Sequence, residues 1–161
     1  MITFMKLTNA TEQALAILAI LATQIEDVPA SSQAIYKKLS VSQSYVKKLL
    51  RKLVVAKVIE GVSGNNGGFY IEKSLKDISL LEIVESIEGP FYSFPHVGVL
   101  ERAFSDFNEF AQDGNKVISQ VFTEADHAWD EELRHVSVQD VLSRVFKDYG
   151  EIPKRDWNQY V

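Results

Sequence analysis

The chain has 161 residues, 46% apolar and 24% charged, with a formal net charge of −5 and no cysteine. That length suits one domain, or a small domain with an appendage, of ordinary soluble globular composition. Without cysteine there are no disulfides, thiolate metal sites or cysteine nucleophiles, which fits a reducing, cytoplasmic setting.

The first apolar run, ALAILAILA from Ala14 to Ala22, has the look of a signal-peptide core, but its flanks argue otherwise. Only Lys6 is basic ahead of it, Asn9 to Glu12 reads as a capping box, and nine residues cannot span a bilayer. It reads instead as part of a buried helix from Asn9 to about Gln24, with no membrane role. Val28-Pro29 ends that helix. Ser31 or Ser32 then caps a short helix, QAIYKKL, and Ser40-Val41 makes a turn. Ser42 caps a third helix, QSYVKKLLRKLVVA, with Val46, Leu49, Leu50, Leu53 and Val54 at helical spacing.

Gly61 to Gly68 holds four of the eight glycines. The run Gly61-x-x-Gly64-x-x-Gly67-Gly68 lacks the spacing, the Lys-Ser/Thr ending and the following helix of a phosphate-binding loop. Flanked by VVAKVIE and FYIEK, it reads as a β-hairpin from Val58 to about Glu72, with an Asn-Asn-Gly-Gly tip. Ser79-Leu-Leu-Glu82 is a capping box for a fourth helix ending near Gly89-Pro90.

GPFYSFPHVG is then a connector, Arg102 to Phe110 a short helix, and Asn115 to about His135 a long one. Val117, Val121, Ala125 and Ala128 give the long helix a narrow apolar seam suited to pairing with a second helix. Ser137 to Asp140 caps a last helix, VQDVLSRVFKDY, and the tail IPKRDWNQYV reads as irregular. The expected architecture is mainly α with a small β-hairpin wing. Residues 6–89 form a winged helix-turn-helix domain, and residues 90–161 hold the connector, a dimerisation helix and a C-terminal helix.

Charge locates the function. Val28 to Ile59 carries seven basic residues and no acidic one, leaving the rest of the chain at −12. Such asymmetry suits a polyanion-facing module joined to an acidic body. In a winged helix-turn-helix, one face of the recognition helix packs on the domain while the other enters the major groove. Ser42, Gln43, Ser44 and Tyr45 then reach base edges, and Lys47, Lys48, Arg51 and Lys52 reach phosphates. Asn65, Asn66 and Gly67 at the wing tip lie by a sugar–phosphate backbone or minor groove, with glycine allowing close approach.

The blocks LTNATEQALAILAILA, SQAIYKKLSVSQSYVKKLLRKLVVAKVI, GNNGGFYI and KDISLLEIVESIEG resemble the Rrf-two family of bacterial winged-helix transcription regulators. The strongest match is Ser42-x-Ser-Tyr45, Lys48 to Leu53 and Gly64 to Tyr70, in order; beyond Gly89 only the layout is similar. The resemblance implies a homodimer that binds a partly palindromic DNA operator, usually as a repressor. Many members hold an iron–sulfur cluster with three cysteines in the connector. Here Gly89 to Phe107 has none and His96 alone cannot replace them, so no cofactor is expected. Family members often have arginine where Ser63 stands, glycine at Lys57 and glutamate at Lys47; that glutamate helps read cytosine, so Lys47 implies an altered operator preference. Some cysteine-free members sense through a protein co-regulator such as a metabolic enzyme.

Other readings are weaker. His127, Glu131 and His135 fall on successive turns, but the outer two lie about 12 Å apart on a helix rising 1.5 Å per residue, so they do not share one metal ion. Glu82 and Glu85 have no partnering base, and the serines sit at caps, so no catalytic residue is identified. The alternative is a winged-helix protein-interaction module that has lost sequence-specific DNA binding; such a module would not need the unopposed basic face.

Overall fold

The computed structural model describes residues 6–160, so Val161, the end of the predicted tail, lies outside the described residues. Helix α1 (Asn9–Thr23) begins after Thr8, whose hydroxyl accepts a hydrogen bond from the Ala10 amide. The cap is thus one residue earlier than the Asn9 to Glu12 pattern predicts. Ala14, Ile17, Leu18 and Leu21 recur on its buried face. Helix α2 (Ser32–Leu39) is capped by Ser31 and stops at Ser40, which is left-handed with φ 55°. Helix α3 (Gln43–Val55) is capped by Ser42, whose hydroxyl accepts from the Tyr45 amide.

The end of α3 is a Schellman motif. Lys57 N–H donates to the Val54 carbonyl at 2.9 Å and Val58 N–H to the Leu53 carbonyl at 3.0 Å. Lys57 bears the conformational cost, with φ 57° at a position where glycine is usual. The predicted hairpin forms next: β1 (Glu60–Val62) pairs antiparallel with β2 (Gly68–Tyr70), with Gly61 opposite Phe69. Beyond it, helix α4 (Leu80–Glu88) has the predicted capping box between Ser79 and Glu82. Ile17, Ile35, Val46, Leu50, Leu53, Val58, Ile59, Ile78 and Ile83 meet in one core. Each such burial contributes roughly 1.5–3 kcal/mol.

The chain divides into two compact units, residues up to Gly89 together with those from Arg134 onward, and residues 90–133. This differs from the sequence reading, which keeps everything after residue 89 together. Helix α7 (Val138–Val145), capped by Ser137 with Asp140, packs in the first unit. Leu80 N–H donates to the Val136 carbonyl and Val138 N–H to the Ile78 carbonyl, both at 2.9 Å, while Val138 and Leu142 enter the core.

The tail is not irregular, as the sequence reading has it. Arg155 N–H donates to the Thr23 carbonyl at 2.8 Å, Ile25 N–H to the Arg155 carbonyl at 3.1 Å, and the Lys154 ammonium to the Ala22 carbonyl at 2.9 Å. The bonds from Arg155 and Lys154 satisfy carbonyls that the end of α1 leaves open. A 3₁₀ turn follows at Trp157–Tyr160.

In the second unit, helix α5 (Val99–Ala103) precedes the long helix α6 (Asn108–Arg134). The sequence reading places a short helix at Arg102 to Phe110 and starts the long one at Asn115; α6 instead begins at Asn108 and runs through Gly114. Ala111 and Asn115 on either side are buried, and the Asn115 side-chain amide bonds to Glu101 and lies 2.9 Å from His96 Nε2. This tertiary anchoring overrides the glycine's weak helix propensity. Trp129 packs on Phe91 with ring centroids 4.9 Å apart, and Phe94 stacks on Phe122 at 5.0 Å. Among the described residues, no helix is long and apolar enough to cross a membrane.

Candidate nucleic-acid interface

The periodicity of α3 splits it into two faces. Val46, Leu49, Leu50 and Leu53 are buried, whereas Ser42, Gln43, Ser44, Tyr45, Lys47, Lys48, Arg51 and Lys52 are exposed. Ser42 and Ser44 hydroxyls stand 3.4 Å apart at the helix start. Among the described residues, no carboxylate pairs with Lys47, Lys48 or Arg51. Lys52 differs from them: its ammonium donates to the Ile87 carbonyl at 2.6 Å. It thereby caps the C-terminal end of α4.

Glu88, the next residue, ties α4 to the start of α1. Its Oε1 accepts from the Thr8 amide at 2.9 Å, the Thr8 hydroxyl at 2.5 Å and the Thr11 hydroxyl at 2.6 Å. Burial pushes the Glu88 carboxyl up, but these hydrogen bonds and the Lys52 charge together hold it below the ordinary value of 4.5.

At the wing tip, Asn65 and Asn66 are exposed and Gly67 is half-buried. Gly64 has φ 113°, and the Gly67 amide donates to its carbonyl at 3.0 Å. A Cβ on Gly67 would stand 2.2 Å from the Val62 carbonyl oxygen. The reason for this glycine is therefore closure of the hairpin tip, and Gly67→Val distorts the wing itself, rather than merely holding an intact wing away from a ligand.

Gly68 has a role that sequence reasoning missed. A Cβ there would lie 2.4 Å from the Ala30 carbonyl oxygen. Ala30 and Phe69 form an antiparallel bridge, each amide donating to the other's carbonyl at 2.9 Å. The wing is thus seated on the link between α1 and α2, and the paired Gly67-Gly68 is its sequence signal.

The sequence reading also overlooks two aromatic rings near α2. Lys38 lies 5.3 Å from the Trp157 and Tyr160 centroids, and Arg155 lies 5.5 and 5.0 Å from them.

On α6, Val117 is 62% exposed and Val121 59%, and Ala125 and Ala128 are exposed as well. Phe107 and Phe110 are 62% and 78% exposed; the sequence reading assigns them to a separate short helix, outside the predicted seam. Among the described residues, no group of three or more histidine or carboxylate side chains is placed to hold a metal ion.

The profile of the Rrf2 (Rrf-two) family, described as iron-dependent transcriptional regulators, matches residues 7–144. YwgB of Bacillus subtilis, named as a candidate HTH-type transcriptional regulator, is 33% identical over 153 residues, covering 95% of this chain and 94% of its own. YffB of Lactococcus lactis, similarly named, is 32% identical over 91% of this chain and 92% of its own. CymR, the global cysteine regulator of B. subtilis, has the same fold, with a TM-score of 0.64 at 20% identity over 88% of this chain and 98% of its own.

The family description invokes iron, and the donor set here does not fit a thiolate-held cluster: there is no cysteine in the chain. The two-faced α3, the glycine-closed wing and the family match agree: the chain belongs to the Rrf2 family of HTH-type transcriptional regulators, which are not enzymes.

Proposed function

We propose that the protein is a cytoplasmic homodimer that binds a partly palindromic DNA operator and represses transcription from it. The observation that carries this reading is the solvent face of α3, where Lys47, Lys48 and Arg51 have no carboxylate partner among the described residues in a chain of net charge −5. An unneutralised basic face on an acidic protein suits phosphate contact. Ser42, Gln43, Ser44 and Tyr45 at the helix start are assigned to base edges, and Lys47, Lys48 and Arg51 to phosphates. Asn65 and Asn66 are assigned to the backbone or minor groove; Lys52 holds α4 and contributes at most its charge. Pairing is assigned to Val117, Val121, Ala125 and Ala128, whose exposure on α6 supports it. With no thiolate for a cluster, the signal enters by another route, for which the family resemblance offers a protein co-regulator such as a metabolic enzyme.

The test is duplex binding followed against salt. Arg51→Ala weakens all duplexes alike and lowers the log–log salt slope by about 0.9 for each phosphate left without its guanidinium. Gln43→Ala costs roughly 1–3 kcal/mol on the preferred site and little elsewhere. Unchanged binding by both variants would sink the assignment of α3 as the recognition helix.

A further inference from the structure

Residues Pro29 to Ser31 form a short extended segment whose polar groups all find partners. In an extended chain these groups alternate between the two edges. Ala30 turns its amide and carbonyl to Phe69 of the wing, each bond 2.9 Å long. The opposite edge exposes the Pro29 carbonyl and the Ser31 amide. Asn158 meets both: its Nδ2 donates to the Pro29 carbonyl at 3.0 Å, and its Oδ1 accepts from the Ser31 amide at 2.8 Å. A primary amide has the donor and acceptor spacing to imitate one peptide unit of a neighbouring strand. Pro29 has no amide hydrogen to satisfy, and the Ser31 carbonyl is taken by the Ile35 amide at 3.1 Å.

Asn158 is itself fixed. Its backbone amide donates to Asp156 Oδ1 at 3.1 Å, which also accepts from Gln24 Nε2 at 3.1 Å. Gln24 Oε1 accepts from the Trp157 amide at 2.9 Å, and the Trp157 indole donates to the Thr23 hydroxyl at 2.9 Å.

We propose that Asn158 is a positioning residue for the wing. It holds Pro29–Ser31 extended, so that Ala30 presents both polar groups to Phe69 and the wing keeps a single orientation toward DNA. The effect on DNA rests on the duplex-binding reading above.

The test has two arms. In the first, Asn158→Ala is measured on a labelled mixed-sequence duplex, in the parent and in a background whose wing tip repels phosphate (Asn65→Asp with Asn66→Asp). Loss of one net hydrogen bond's worth of wing ordering predicts about 3- to 10-fold weaker binding in the parent, with almost no further loss in the altered-wing background. Equal losses in both backgrounds, or none in the parent, overturn the positioning role; a general loss of stability would weaken both alike.

The second arm uses no DNA. Amide exchange at Ala30 and Phe69 should accelerate in Asn158→Ala, with the α1 and α3 core amides unchanged. The isosteric Asn158→Asp, which loses the Pro29 bond but keeps an acceptor for Ser31, should act in the same direction if the alanine variant folds poorly. Unaltered exchange at Ala30 and Phe69, or a rise spread over the whole unit, overturns the inference. If the parent binds no duplex, the DNA reading fails, and the exchange arm still decides whether Asn158 orders the wing.

Discussion

The two units of the chain treat their apolar side chains in opposite ways. In the first, Ile17, Ile35, Val46, Leu53 and Ile83 are fully buried, and the exposed valines, such as Val55 and Val145, are scattered over several elements. In residues 90–133, Ala111 and Asn115 are the buried side chains among those described, while Phe107, Phe110, Val117 and Val121 are 59–78% exposed. A core closed by its own elements needs no other surface. An accumulation of wet phenyl and isopropyl groups along one long helix and the turn before it calls for one. The sequence distinguishes the two only faintly, because helical periodicity records that an apolar face exists and not what covers it.

The sharpest way to break this contrast is a pair of truncations. Leu53→Ala should cost about 2–5 kcal/mol in thermal or denaturant unfolding. Val121→Ser, measured where the protein is dilute enough to be monomeric, should stay within about 0.5 kcal/mol of the parent. Comparable losses would mean that the second unit is closed after all.

A smaller effect is expected in assembly. If the proposed pairing seam joins two copies, Val121→Glu places a charge in it and should raise the dimer dissociation constant at least about tenfold in sedimentation equilibrium. A parent that is monomeric at micromolar concentration, yet binds DNA undiminished, removes the seam from the mechanism.

Two glycine exchanges sharpen the comparison further. Lys57 occupies the left-handed end of α3, so Lys57→Gly should stabilise the first unit by up to about 1 kcal/mol. Gly114 is helical, and a Cβ there would meet open space, with no atom within 4 Å. Gly114→Ala should stabilise α6 by about 0.5–1 kcal/mol. Opposite signs in unfolding experiments would contradict the backbone geometry at these sites.

The smallest effect is acid-linked. The Glu88 carboxyl is held below 4.5 in the folded chain, so its contribution is present above that value and is lost as pH falls through the lower folded value. Glu88→Gln should flatten this part of the stability profile. A profile that keeps the same acid slope would place the linkage elsewhere.

Much of the first unit is legible in the sequence because its signals are local. Ser31, Ser42, Ser79 and Ser137 announce helix starts by chemistry confined to one turn, and each caps a helix in the structure. The face of α3 follows from a period of 3.6 residues. What escapes depends on partners far along the chain: Gly68 against Ala30, Lys52 against Ile87, and the tail against Gln24. Nothing near Asn158 in sequence reveals that its amide meets Pro29 and Ser31. The start of α6 at Asn108, rather than the predicted Asn115, escapes for a related reason, since the burial of Ala111 and Asn115 that anchors it is not a local signal.

The seat of the wing joins residues 129 positions apart, through the Asn158 bond to Pro29. Ribosomal synthesis is vectorial, and domains generally fold as units during it. Here α1 to α4 leave the ribosome well before the segment that braces their wing, with the whole of residues 90–133 translated in between. A nascent chain therefore displays its basic helix before the wing is fixed, and the bracing contacts close only after α6, the proposed pairing helix, has emerged. The order of translation thus places the proposed pairing helix ahead of the contacts that brace the wing.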